Sequence, residues 1–486
     1  KKNKTFFLDQ HGCAKNQVDG ELIISRLIEE GYVRTDEPSE ASVIIINSCG
    51  FIESAKKESL DSLLNARTAY PDAKIILAGC LAERYADVFK EQLPEADAVF
   101  GNGDISRITD VVGETLKGNR TVVKPEQEGV SCGDRKQLLN FKGSAFVKIT
   151  EGCDNRCTFC AIPIIRGSLR SRKADDIIAE IKKLLSEGVF EINLIGQDLA
   201  AYGCGKTDDV FSDGRNGWDY MYTKLRSPLF EQKEKDGLEE KKSFLCELIE
   251  KISLIKGNFW VRLLYIHPDH FDTDILHAMK KDPRFLPYFD IPFQSGSSPV
   301  IKAMNRKGSA ASYKRLVSKI REVFPESSIR TTFLTGFPGE TEEDALATKK
   351  FLSAIKSDWS GCFSYSREDD TPAAKFKDRV PKRVAQKRAD ELTELQNQIT
   401  ASLLAGRTGK VYDVLVEEVL PPSDDSGEGL AIGRAWFCAP EVDGSVVIRY
   451  DCDDKKVVAS IVPGKVVKVK VLSSGAVDVD GEYCGS

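Results

Sequence analysis

Residues 151–160 read EGCDNRCTFC and place three cysteines, Cys153, Cys157 and Cys160, within eight positions; the next cysteine is Cys204. A closed structural zinc site takes four protein ligands, and so does an iron–sulfur cluster that only carries electrons. This triplet is one ligand short, the mark of a site that keeps a position open for a ligand from outside. It follows the apolar run FVKIT (146–150), on a loop leaving the carboxyl end of a strand, which is where α/β folds bind their ligands.

Working outward, the β–α alternation continues from about 140 to 370. Six strand-like runs occur, SAFVKIT, FEINLIG, FWVRLLYI, YFDIPF, SIRTTFLTG and GCFSYS, with helical segments such as KADDIIAEIKKLLSEG and SYKRLVSKIREVF between them. Six units fall short of a closed eight-unit barrel, so an open, partial (β/α)6 barrel is expected. Polar, glycine-containing residues fill the connection 203–243. It reads as disorder or an incidental insert ahead of a lid or partner-binding element.

The first 125 residues carry the same rhythm: TFFLDQ, SVIIIN and KIILAG each precede a helical pattern. That order predicts a doubly wound parallel sheet. Cys13, Cys49 and Cys80 follow those three runs directly and lie 36 and 31 residues apart, about one βαβ unit. The period puts all three at one sheet edge beside helix N-termini, which favour the thiolate form that binds metal. A second ligand-deficient iron–sulfur cluster explains this better than three unrelated buried thiols. His11 is left outside the ligand set, as an exposed loop residue.

The polar stretch 124–137 reads as a linker, and 383–406 as one long helix. Beyond it, strand-like stretches with turn signals predict a small β-barrel. The expected domains are 1–125, 138–382 and 405–486. Ordinary apolar and charged fractions, 41% and 30%, with no apolar run of membrane-spanning length, predict a soluble chain with no membrane partner. KKNKTFFLDQ is too short in apolar residues for a secretory signal. Thirteen cysteines, an odd number in so long a chain, favour metal-binding thiolates in a reducing compartment, hence a cytoplasmic protein. The seven cysteines outside the two triplets read as incidental or buried.

The spacing Cys153-x3-Cys157-x2-Cys160, with Phe159 before the last cysteine, resembles the radical S-adenosylmethionine (SAM) superfamily. That resemblance implies a [4Fe-4S] cluster whose open iron chelates SAM, with reductive cleavage giving methionine and a 5′-deoxyadenosyl radical. It further implies SAM contacts at Phe159, at Gln197 in GQDL (196–199), at Gly336 in TGFPGET (335–341) and at Arg330 on the preceding strand. Two triplets together resemble the methylthiotransferases, built from a flavodoxin-like N-terminal domain, a radical-SAM barrel and a C-terminal TRAM β-barrel. HGCAKNQVDGE, NSCGFIESAKKES, GCLAERY, CDNRCTFCAIPIIRGSLRSR and SREDDTPAA are similar to the RimO family, which modifies an aspartate of small-subunit ribosomal protein twelve. The insert and His11 depart from that family's pattern.

The resemblance implies two [4Fe-4S] clusters, SAM, and a flavodoxin- or ferredoxin-type reductant. The radical would take hydrogen from the aspartate β-carbon, and the cluster on Cys13, Cys49 and Cys80 would deliver methylated sulfur. The ribosomal protein would be met free or in its subunit. Residues 406–486 hold nine Lys/Arg and fourteen Asp/Glu, an acidic balance that suits a basic protein better than RNA; RNA contact, for instance at RGSLRSRK (166–173), is secondary. Two alternatives stay open: a tRNA adenosine methylthiotransferase, and a non-enzymatic zinc or electron-carrier protein.

Overall fold

The computed structural model describes residues 4–205, 243–421 and 427–485. Its first sheet has six parallel strands, β1 (Thr5–Gln10), β2 (Val33–Arg34), β3 (Val43–Ser48), β4 (Lys74–Gly79), β5 (Ala98–Phe100) and β6 (Thr121–Val123), in the order β2-β1-β3-β4-β5-β6. Helices cover both faces, which is why VIIINS in β3 is buried throughout and rich in β-branched residues. The order reverses between β1 and β3. Ligands of open α/β sheets bind in the crevice beyond such a switch point, and Cys13 and Cys49 leave the sheet there. Strands β2, β5 and β6 have only two or three residues, too few to show a period in the sequence.

The second sheet is also six parallel strands: β7 (Ser144–Lys148), β10 (Glu191–Ile195), β11 (Trp260–Leu263), β12 (Phe285–Asp290), β13 (Ser328–Thr335) and β14 (Trp359–Ser364). They stand side by side in chain order without closing, a partial (β/α)6 barrel. A two-stranded ladder of β8 (Thr150–Glu151) and β9 (Arg170–Ser171) pinches the base of the cysteine-bearing loop. The insert 203–243 lies, from 206 to 242, outside the described residues.

The third unit is a closed barrel of β15 (Val411–Val419), β16 (Glu428–Ala435), β17 (Val446–Asp451), β18 (Val466–Ser474) and β19 (Val479–Gly485). The stretch 433–450 is divided between two strands. Its middle leaves the barrel because Phe437, Cys438 and Ala439 bury themselves against the second sheet. Trp359 Nε1 and Ser328 Oγ donate to the Phe437 carbonyl at 2.7 and 3.2 Å. The helix Lys382–Ala405 buries Ala385, Ala389, Leu392, Gln396, Thr400 and Leu404 on one stripe. No helix among the described residues is long and apolar enough to cross a membrane.

Buried ions fix the barrel to the second sheet. Glu191 accepts from Arg262 and Arg434 at 3.0 and 2.6 Å. Burial alone would raise its carboxyl, but Arg434 and then Arg262 hold it well below the usual range. Asp443 accepts from Arg330 at 2.6 Å, from Tyr288 Oη at 2.5 Å and from the Ala439 amide at 2.8 Å. Asp443→Asn removes a charge-assisted pair and should lower stability by about 1.5–3 kcal/mol, read as a lower urea midpoint. A change within error would show that this dock carries no load.

Residues 124–137 are not a loose tether. Arg135 is buried and pairs with Glu21 of the first unit and Glu180 of the second, at 2.6 and 2.7 Å. Gln127 Nε2 donates to the Ile165 carbonyl. Composition reads this stretch as a linker because polar residues look the same whether they face water or buried partners.

Candidate active site

The first cysteine set forms where three loops touch. Gly12 has φ +89°, and a Cβ there would lie 3.1 Å from the Cys49 Cβ and 3.3 Å from its sulfur. A side chain at Gly50 would meet the Cys80 carbonyl at 2.7 Å. Glycine is thus required for loops one and three to close on Cys49. Cys13 caps the helix Ala14–Glu29, and Cys80 opens the helix Cys80–Gln92. Asn16 ties the arrangement, donating to the His11 and Asn47 carbonyls at 2.8 and 3.1 Å while its Oδ1 lies 3.6 Å from the Cys80 sulfur.

Charge differs across this set. Burial would raise the Cys13 thiol, but Lys15 and Arg166 lower it. Burial pushes Cys49 up to about 12, with Cys80 and Cys13 adding to the rise. It pushes Cys80 up too, against Arg166. His11 does not join them: it pairs with Asp9 at 3.0 Å, and that hydrogen bond raises its pKa. It is largely buried rather than exposed, with 11% of its side chain accessible.

The second set, Cys153, Cys157 and Cys160, lies on the loop after β7. The Cys160 amide donates to the Cys157 carbonyl at 3.0 Å. Burial raises all three thiols, Cys160 to about 12. The fold also brings up a group that sequence distance hides. His267 Nε2 lies 3.9 Å from the Cys157 sulfur, and Asp198, His267 and His270 cluster together. These residues are already satisfied. Asp198 accepts from His270 at 2.6 Å, Asn155 at 3.0 Å and the Ala200 and His267 amides. His267 Nδ1 accepts from the Asp269 amide at 3.2 Å, and burial lowers its pKa to about 3. Its Nε2 therefore carries the hydrogen and donates toward sulfur, which makes it a brace for the loop and not a fourth ligand.

Arg166, six residues past Cys160, joins the two sets. Its guanidinium reaches the Cys80 sulfur at 3.2 Å, Asp19 at 2.9 Å and Glu151 at 2.7 Å. Lys148 pairs with the same two carboxylates at 2.5 and 2.7 Å. Glu368, just beyond β14, takes Arg84 and Lys56 of the first unit at 2.6 and 2.8 Å. The first unit is therefore seated on the carboxyl-end mouth of the partial barrel. In the sequence Arg166 reads only as the first residue of RGSLRSRK, a candidate RNA contact; the structure instead buries it among Cys80, Asp19 and Glu151, partners that no local pattern shows.

Of the four anticipated SAM contacts, Gln197 and Gly336 lie at strand ends on this mouth and Phe159 lies on the cysteine loop. Gln197, past β10, donates from Nε2 to Glu151 at 3.1 Å and leaves a buried Oε1 with no partner among the described residues. Gly336, past β13, has φ +72°, and a Cβ there would lie 2.1 Å from that of Ala385. Phe159 packs beside Val300, Met304, Phe337 and Ala373. Arg330 is not brought with them. It is the third residue of β13, and its guanidinium is committed to Asp443 and the Val442 carbonyl.

The chain matches three family models: uncharacterized protein family UPF0004 over residues 5–101, the radical SAM superfamily over 147–352 and the TRAM domain over 408–484. It is 48% identical to the ribosomal protein uS12 methylthiotransferase RimO of Treponema denticola, over 97% of this chain and 99% of that one. The protein of the same name from Carboxydothermus hydrogenoformans is 35% identical over 98% and 99%, and that from Thermotoga maritima 36% identical over 90% and 92%. Among solved structures, the radical SAM methyltransferase TsrM of Kitasatospora setae matches in fold, with a TM-score of 0.50, 12% identity, and 76% and 74% of the two chains covered. Identity at this level, sustained from end to end in both directions, means that the chain belongs to the RimO family of ribosomal protein uS12 methylthiotransferases.

Proposed function

We propose that this chain places a methylthio group on the β-carbon of an aspartate of ribosomal protein uS12, using SAM and two [4Fe-4S] clusters. The observation that carries the reading is the juxtaposition of two three-cysteine sets on separate sheets, joined by Arg166 at 3.2 Å from Cys80. Cys153, Cys157 and Cys160 would hold one cluster, and Cys13, Cys49 and Cys80 the other. When bound, these groups supply the electron that cleaves SAM and the site at which methylated sulfur is carried. Both sets fit such groups: each offers three thiols and, among the described residues, no fourth ligand, and the raised pKa values of all these thiols but Cys13 mean that metal binding would release protons.

The chain's own residues then bind and orient. The unpartnered Gln197 Oε1 is an acceptor suited to the ammonium of SAM, with Glu151 behind it. Phe159 and Gly336 are kept as SAM contacts. Arg330 is assigned to hold the C-terminal barrel, because Asp443 already occupies it. His267 braces Cys157, and buried Arg166 and Lys148 pair with Asp19 and Glu151, holding the Glu151 carboxyl below its usual range against the effect of burial. Residues 1–125 would carry the sulfur, 138–382 generate the radical, and 405–486 meet the substrate.

The acidic balance of that last unit favours a basic ribosomal protein over tRNA. The setting is the cytoplasm, with a flavodoxin- or ferredoxin-type donor and only secondary RNA contact. The test is anaerobically reconstituted protein with SAM, reductant and a uS12 peptide, read by mass spectrometry. A methylthio mass gain on the aspartate is expected. Methylthio-adenosine formed in tRNA, with the peptide unchanged, would overturn the assignment in favour of the tRNA enzyme.

A further inference from the structure

Most buried cations around the mouth of the partial barrel are ion-paired, while Arg306, beside Cys157, donates to the Pro292 carbonyl at 2.5 Å instead. Lys148 has Asp19 and Glu151, Arg166 the same two, Arg135 has Glu21 and Glu180, and Arg330 has Asp443. Lys15 breaks the pattern. It is the second residue of the helix Ala14–Glu29 and 7% exposed. Among the described residues its ammonium makes no ion pair; its contact is the face of Tyr265, 3.4 Å from the ring centroid. A buried charge with no counter-ion is costly, and a desolvated cation–π contact offsets only part of that cost. Within electrostatic reach of the ammonium are the Cys13 thiol and one acid, Asp290. It forms no ion pair with Lys15, its Oδ2 accepts from the Tyr265 amide at 3.2 Å, and burial pushes its carboxyl up.

Tyr265 is itself held at some cost. Its φ is +68°, a left-handed conformation that bulky residues avoid and that persists at functional sites. The position is between the two cysteine sets. Lys15 is two residues from Cys13, and Tyr265 two residues from His267, whose ring faces the Cys157 sulfur at 3.9 Å.

We propose that Lys15 is the specificity-determining residue for the substrate, its ammonium taking the side-chain carboxylate of the target aspartate. This rests on the proposed function. The β-carbon of aspartate is bonded directly to that carboxylate carbon, so a carboxylate anchored at Lys15 sets the β-carbon between the two cysteine sets. An adenine ring presents no carboxylate, so the same feature selects against a nucleobase in this position.

The test measures binding to the reconstituted full-length protein by fluorescence anisotropy, with uS12 peptides carrying aspartate or asparagine at the target position. Wild type should prefer the aspartate peptide by about tenfold or more, the size of a charge-assisted hydrogen bond. Lys15→Met should lose that preference and bind both peptides as wild type binds the asparagine form. Lys15→Arg should keep part of it. If Lys15→Met binds neither peptide, Lys15→Gln carries the same reading with a milder change. Retained preference in Lys15→Met overturns the proposal, as does a change confined to the electron paramagnetic resonance of the cluster on the first cysteine set, which would make Lys15 a counter-charge for Cys13. Wild type that binds neither peptide overturns the protein-substrate reading itself, and the Lys15 assignment with it.

Discussion

Cys157→Ala is expected to abolish reductive cleavage of SAM, whereas Cys49→Ala should keep that cleavage and lose methylthio transfer. The two sets belong to different sheets, so each can fail alone. Loss of one thiolate from an already three-coordinate set leaves too few ligands to hold a cube of iron. Cys49 is a cleaner choice than Cys80, whose sulfur takes the Arg166 guanidinium at 3.2 Å; removing Cys80 would disturb the bridge between domains along with its own site. Cys157 likewise has its partners within the second unit, the His267 ring at 3.9 Å and Arg306. The measurement is 5′-deoxyadenosine released by dithionite-reduced, reconstituted variants, together with bound iron and peptide mass. Cys49→Ala should hold one cluster's iron and release 5′-deoxyadenosine without modifying the peptide. If it cleaves no SAM, or if Cys157→Ala still does, the division of labour between the sets is wrong.

Arg166→Met should destabilise the docked protein by about 3–5 kcal/mol, the usual cost of breaking a buried ion pair from one side. Asp19 and Glu151 would keep only Lys148 between them, and Cys80 would lose its donor. The effect has a pH signature. Burial alone would raise the Glu151 carboxyl, but Arg166 and then Lys148 hold it well below the normal range. A depressed folded-state pKa gives stability that is fully present above the unfolded value of about 4.3 and lost as pH falls toward the folded one. The gap between wild type and Arg166→Met should therefore be widest at neutral pH and narrow below about pH 4.3. Urea midpoints at pH 7, 5 and 3.5 measure it. A constant gap would place the energy outside the Glu151 pair, and a gap under 1 kcal/mol at pH 7 would remove Arg166 as the bridge.

Much of the fold was legible because it is repetitive. The six long strands of the partial barrel and the three cysteine-bearing strands of the first sheet show the apolar runs that a two-sided sheet demands. Short strands such as β2 and β5 were invisible, since two or three residues carry no period. Within 433–450, Phe437 and its neighbours are apolar for contact with another domain rather than for their own barrel, a difference that hydropathy does not register.

Both cysteine triplets, and with them the expectation of two sites, can be read from the sequence alone, because ligand type and spacing are local and a missing ligand can be counted. Gln197 and Gly336 could be placed at strand ends for the same reason. Only the tertiary structure decided what those sites contain besides thiols. Arg166 meets Cys80 across 86 positions, and Arg330 goes to Asp443 across 113. The ring beneath Lys15 comes from the loop after β11, in the second unit. Such pairings have no signature in the sequence: a buried charge goes to whichever partner the docking of two sheets brings within about 3 Å, and that depends on the packing of the whole interface.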